Sequence, residues 1–92
     1  MEETNIASGC TGEPTFGEKA VGLTFNPAGD EKVYRVKKLY ADIIDIMNEI
    51  RNVPNESGDD SNSFNERARL SSIAITEAQS AQMWAVKAIT WK

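Results

Sequence analysis

Two lysines set among apolar residues are the side chains of this sequence best placed to do chemistry. Lys87 is enclosed by Trp84, Ala85, Val86, Ala88 and Ile89 in the most hydrophobic segment of the chain, and a lysine in such a setting calls for an anion. Lys37 follows Val36 at the side of an apolar seam, where its ammonium could reach over a subunit boundary. Snorkelling of the aliphatic stem accounts for that placement equally well. The anion could be a carboxylate of a neighbouring chain or the phosphate of a ligand. Thr76, Ser80 and Thr90 add hydroxyls on the same segment as Lys87, and Phe25 and Tyr40 offer flat faces. Stacking of a base on such a face is worth about 1–3 kcal/mol. Aromatics at this spacing more often belong to a core, and pattern alone does not separate the two readings.

Catalysis has little to stand on. The chain has no histidine, so the commonest general acid or base and metal ligand is missing. Asp42, Asp45 and Glu49 fall on one side of a helical segment and could bind a metal or share a proton, but a solvated acidic face is the ordinary outcome for such a run. Asp59-Asp60-Ser61-Asn62 superficially resembles a calcium loop; it lacks the full alternation of ligands and the closing glutamate, and reads as a turn with a helix cap. Cys10 stands alone in a polar stretch without a nearby cation pattern and is expected to be inert. The sequence predicts no enzyme, no metal and no cofactor.

Composition narrows the class further. The 92 residues suffice for one domain with a small core, so association with further copies is the economical source of stability. A 40 % hydrophobic and 26 % charged composition is that of a folding chain. The net charge of −4 argues against long nucleic acid, which needs a broad basic surface, but leaves room for a small anionic ligand. One cysteine excludes an intrachain disulfide and suits a reducing cytoplasm. No apolar run approaches the roughly 20 residues that span a bilayer, and Met1-Glu2-Glu3 is acidic where a signal peptide is basic. A soluble protein that does not bind membranes is expected.

These side chains must be positioned by helices. Residues 1–12 read as a flexible arm, and 13–92 as a single domain. Its first part, to Gly29, mixes Gly and Pro with isolated apolar residues and reads as an irregular lead-in, with room for a short helical turn around Gly17 to Val21. Asp30 caps helix one, expected over about 31–53. Val33, Val36, Tyr40, Ile43, Met47 and Ile50 form its seam, widened by Leu39, Ile44 and Ile46. Pro54 opens a loop over 54–62. Ser63 and Glu66 make a capping box for helix two, about 63–90. Two long helices on a short connection predict an all-α antiparallel hairpin. Helix two carries Leu70, Trp84 and Trp91 on one heptad stripe, other apolar residues on other sides, and the small Ala68, Ala74, Ala78, Ala81, Ala85 and Ala88. One partner helix cannot cover all of this, so a compact homo-oligomer is expected.

Two segments resemble a known family: Val21-Gly22-Leu23-Thr24-Phe25-Asn26-Pro27-Ala28-Gly29-Asp30 leading into Val33-x-x-Val36-Lys37, and Ala74-Ile75-Thr76-Glu77-x-Gln79-x-Ala81-Gln82-Met83-Trp84-Ala85-Val86-Lys87-Ala88. Together they are similar to the hairpin domain of phage anti-CBASS and anti-Thoeris sponges, which sequester cyclic oligonucleotide or cyclic ADP-ribose-type signals of bacterial immunity. The resemblance covers about residues 20 to 91. It implies a compact homohexamer that binds cyclic dinucleotides in pockets between paired subunits and cyclic trinucleotides at separate sites, cleaving neither, in the cytoplasm of the infected host.

Residue by residue, the resemblance implies that Phe25 stacks on a base and Lys37 meets the phosphate of a cyclic dinucleotide. It places Lys87 at the trinucleotide site, with Thr90 as a nearby hydroxyl. The chain departs from the family pattern in having Phe25 within Thr-Phe-Asn-Pro where better-known members carry Gly-Tyr-Arg-Asp, and lysine at 87 where arginine is usual. A lysine offers a point charge instead of a bidentate fork. The rival reading is a helical hairpin that binds a host protein and blocks it, with both lysines solvated or paired across subunits.

Overall fold

The computed structural model describes residues 13–53 and 61–92, and among them every regular element is a helix: α1 (Phe16–Val21), α2 (Glu31–Arg51) and α3 (Ser61–Thr90). The expectations for the arm at 1–12, Cys10 and the Asp59-Asp60 turn lie outside the described residues.

The lead-in is more ordered than its Gly and Pro content suggests. Thr15 and Glu18 form a reciprocal capping box: the Thr15 hydroxyl accepts from Glu18 N–H at 3.0 Å, and the Glu18 carboxylate accepts from Thr15 N–H at 3.0 Å. Gly22 closes α1 in the left-handed region at φ 63°, a conformation that costs glycine nothing. α1 is docked on α2 through Gly17, where any Cβ would strike the Ala41 carbonyl. Gly17 N–H also donates to Asp45 Oδ1 at 2.7 Å. Asp45 is therefore an anchor for α1, and the acidic run is not simply a solvated face.

Asp30 caps α2, accepting from Lys32 N–H at 2.7 Å. The helix ends at Arg51, short of Pro54, and α3 begins at Ser61, ahead of Ser63. Val33 and Lys37 near the start of α2 share a depression with Val86 and Thr90 at the end of α3. Arg51, at the end of α2, donates to the Ser72 hydroxyl at 3.3 Å, in the first half of α3. The two long helices consequently run antiparallel.

The core consists of Val21, Ala41, Ile44, Ile75 and Ala78, with Ala20, Leu23, Tyr40 and Met47 packed against it. The buried positions of α2 are Val33, Lys37, Ala41 and Ile44, one step around the helix from the seam that hydrophobicity alone suggests. Ile43, expected inside, is 46 % exposed. The reason is steric and electrostatic: α1 docks with Gly17 against the Ala41 backbone carbonyl, which puts Ala41 inside with Ile44, Ile75 and Ala78, and carbonyl groups of the lead-in satisfy the ammonium at 37. A stripe of Leu39, Ile43 and Ile46 is thereby left uncovered on α2, with Val53 exposed just beyond its end. Leu70, Ile73 and Trp84 on α3, with Trp91 just past its end, form a second stripe, also exposed.

Candidate functional site

The site is built where the segment after α1 crosses between α2 and α3. From Gly22 the chain folds back on itself, with Phe25 N–H donating to Gly22 O at 2.9 Å and Gly29 N–H to Asn26 O at 2.9 Å. The Asn26 side chain ties this turn to the start of α2, donating to Asp30 O at 2.9 Å and accepting from Asp30 N–H at 3.3 Å. Pinned at both ends, the turn presents the Phe25 ring outward, 71 % exposed. Phe25 is thus not a core aromatic, whereas Tyr40 is partly buried and packs against the core.

Lys37 lies beneath this turn and is 5 % exposed. Its ammonium donates to Gly22 O at 3.0 Å and to Phe25 O at 2.5 Å, and it sits 5.5 Å from the centroid of the Phe25 ring. No carboxylate pairs with it among the described residues. Loss of hydration on burial lowers its pKa from the ordinary 10.5. Among the described residues the result is a fixed cation without a counterion, donating two of its N–H groups to carbonyls, behind an exposed aromatic ring. Such an arrangement receives an anion attached to a flat group.

The neighbouring Lys38 is spent differently. It bridges Glu18 at 3.4 Å and Asp42 at 3.2 Å. Burial acts against its charge, but the bonds to Asp42 and Glu18 prevail and raise its pKa. Asp42 and Asp45 are both engaged in structure, and no group of three or more potential ligands gathers for a metal among the described residues.

Two connected depressions flank the turn. The narrower, about 370 Å³, brings Thr90 of α3 to the same place as Phe25 and Lys37. The wider, about 790 Å³, adds Thr76, Ser80 and Lys19. Thr90, which the sequence groups with Lys87, therefore lines the Phe25 groove within a single chain, its hydroxyl donating to Val86 O at 2.8 Å. Lys87 itself lines neither depression. It is exposed and stands between two indoles, 5.9 Å from the Trp84 centroid and 5.8 Å from that of Trp91. The hydrophobic surroundings read from its sequence neighbours are a solvent-facing surface in one chain, Trp84 being 69 % and Trp91 72 % exposed.

Sequence reasoning missed Gln82 and Met83, which line both depressions beside Phe25 and Lys37. A buried glutamine on an apolar helix face was the available signal. It also missed the two carbonyls that hold Lys37, because backbone acceptors leave no trace in residue type.

A family model described as Acb2/Tad1, hairpin domain, matches residues 18–90, from α1 to the last turn of α3. The chain belongs to the Acb2/Tad1 hairpin-domain family. No curated protein and no solved structure matches it. The matched span contains the whole Acb2/Tad1 hairpin, the Phe25 turn and all the groove residues named above.

Proposed function

We propose that this chain is a phage sponge that binds cyclic dinucleotide and trinucleotide messengers and withholds them, intact, from CBASS-type defence in the host cytoplasm. The observation that carries the reading is the pairing of an outward-facing Phe25 ring with a buried, counterion-free Lys37 behind it. The ring is a platform for a base, and the fixed ammonium is a partner for the phosphate attached to it. A hydrogen bond to a charged group of this kind contributes about 1.5–3 kcal/mol. Family membership supports the same class of ligand.

Self-association, as a hexamer by family resemblance, is part of the proposal. The Leu39, Ile43 and Ile46 stripe and the Leu70, Ile73, Trp84 and Trp91 stripe are both uncovered in a single chain, and exposed apolar runs at heptad spacing are seams for other helices. Copies that meet along them would place two Phe25 grooves near each other, suiting a ligand that is itself close to two-fold symmetric. The Trp84, Lys87 and Trp91 surface is the proposed second site, for trinucleotides, with Thr90 at its margin. The rival, a hairpin that blocks a host protein, draws on that same surface, since exposed tryptophans and a cation make a good protein hot spot.

The test is a thermal-shift measurement of the purified chain against cyclic dinucleotides and trinucleotides, followed by heating of the complex and analysis of what is released. Stabilisation with intact ligand recovered is the expected result. No shift with any cyclic nucleotide overturns the sponge reading, and a linear product points to an enzyme.

A further inference from the structure

Gln82 lies at the end of α3's inner face, in register with the buried Ser71, Ile75 and Ala78, and is 5 % exposed. An apolar residue there would continue the packing of that face. The other buried polar side chains are satisfied: Lys37 donates to two carbonyls, and the Ser71 hydroxyl donates to Arg67 O at 2.9 Å. Gln79, one turn earlier, donates to Ala20 O at 3.5 Å. The Gln82 amide alone among these has no hydrogen-bond partner among the described residues. Native structures rarely leave a buried amide orphaned, because its desolvation is not repaid. The orphan is also well placed: it lines both depressions together with Phe25, Lys37 and Met83.

We propose that Gln82 is the specificity residue of this groove, reading the hydrogen-bonding edge of the nucleobase stacked on Phe25. The assignment rests on the sponge reading above. A primary amide presents a donor beside an acceptor, so its match is a planar heterocycle with an acceptor beside a donor, as adenine has in N7 and its 6-amino group. Phe25 supplies a face that accepts any base, and Lys37 a charge that accepts any phosphate. Neither discriminates among bases. The amide supplies what they lack, and a base edge would give it the hydrogen-bond partners that the described residues do not.

The experiment combines titration calorimetry with thermal unfolding, on the full-length chain and on Gln82→Met, a substitution that keeps length and removes both hydrogen-bonding groups. The probes are cyclic di-AMP and cyclic di-GMP. Without ligand, Gln82→Met should unfold at a higher temperature than the wild type, because an apolar side chain replaces an orphaned amide. With the dinucleotide that the wild type prefers, it should bind about tenfold more weakly. A merely structural glutamine would not give this opposition of higher stability and lower affinity. Equal affinity in the two proteins overturns the assignment while leaving the sponge reading intact. A lower unfolding temperature for Gln82→Met also overturns it, since the amide would then be bonded already, for example across a subunit contact. Failure of the wild type to bind either dinucleotide removes the dinucleotide reading itself, and this assignment with it.

Discussion

Lys37 and Lys87 are both lysines set against aromatic rings at nearly the same separation, yet the fold treats them in opposite ways. Lys37 is 5.5 Å from Phe25, buried, and held by two carbonyls of a turn that belongs to another element. Lys87 is 5.9 Å from Trp84, one turn earlier on α3, and 5.8 Å from Trp91, the residue just past the end of α3, and is exposed. The first geometry depends on tertiary structure; the second needs only α3. A pre-set cation selects a ligand that fits it, and an exposed one adapts to whatever covers it. The same difference makes Lys37 part of the fold's stability, while Lys87, near the carboxyl end of α3, gains little beyond a favourable helix-dipole term.

The largest separation of the two regions should come from Gly17→Ala. The added methyl group meets the Ala41 carbonyl and the Asp45 carboxylate; the carboxylate can rotate away at the loss of its bond to Gly17 N–H, but the carbonyl cannot withdraw without disturbing α2. α1 should undock, carrying away the Gly22 carbonyl that holds Lys37. A loss of about 3 kcal/mol is expected in denaturant unfolding, the upper end for overpacking. Dinucleotide binding should be lost with it, while the environment of Trp84 and Trp91, followed by fluorescence, stays unchanged. Wild-type stability in Gly17→Ala would mean that α1 does not hold the groove together.

A paired substitution is gentler. Lys37→Met should reduce dinucleotide affinity by about 10- to 100-fold, the equivalent of one charge-assisted hydrogen bond, with some loss of stability as the Phe25 carbonyl loses its donor. Lys87→Met should leave dinucleotide affinity unaltered and change stability by no more than about 1 kcal/mol, the range of exposed cation–π contacts. It should weaken trinucleotide binding instead. Calorimetry with both ligand classes checks this. If each substitution weakens both ligands equally, the two lysines serve one continuous site and the contrast between them is lost.

The helical character of the chain and its two long elements could be read from sequence because they rest on local signals. Asp30 is a helix cap, Pro54 a barrier to continuation, and apolar residues recur at helical spacing. The position of Phe25 beside Lys37 was also legible, though by resemblance instead of physics. The inner face of α2 was not. Ala41 and Lys37 rank low on any hydrophobic pattern, and their burial depends on long-range packing: Ala41 joins Ile44, Ile75 and Ala78 in the core with Gly17 against its carbonyl, and Lys37 lies beneath the Gly22 and Phe25 carbonyls. Ile43 and Ile46 rank high and stay outside in one chain. The order in the lead-in was understated for a related reason, since the Gly17 N–H to Asp45 bond joins residues 28 positions apart. Thr90 shares a groove with Phe25 across a still longer span, which heptad counting along one helix cannot reveal.

The smallest expected effect concerns pH, and it sharpens the comparison on the side of Lys37. Burial lowers the pKa of Lys37 from 10.5, so the unfolded chain holds this proton more tightly than the folded one. The desolvation penalty is therefore present below the folded pKa and is relieved as pH rises through that value towards 10.5. Lys38 runs the other way: its raised pKa contributes stability below 10.5 that disappears as pH rises through the folded value. The two contributions oppose each other, so overall stability is a poor reporter of either. Ligand affinity is a better one, because a phosphate needs the Lys37 ammonium and has no direct need of Lys38. In calorimetry at increasing pH, dinucleotide affinity should begin to fall below 10.5, where an ordinary solvated lysine is still mostly charged, and Lys37→Met should abolish this dependence. An affinity that stays level up to 10.5 would detach the Lys37 charge from the ligand, leaving it only as the anchor of the turn that presents Phe25.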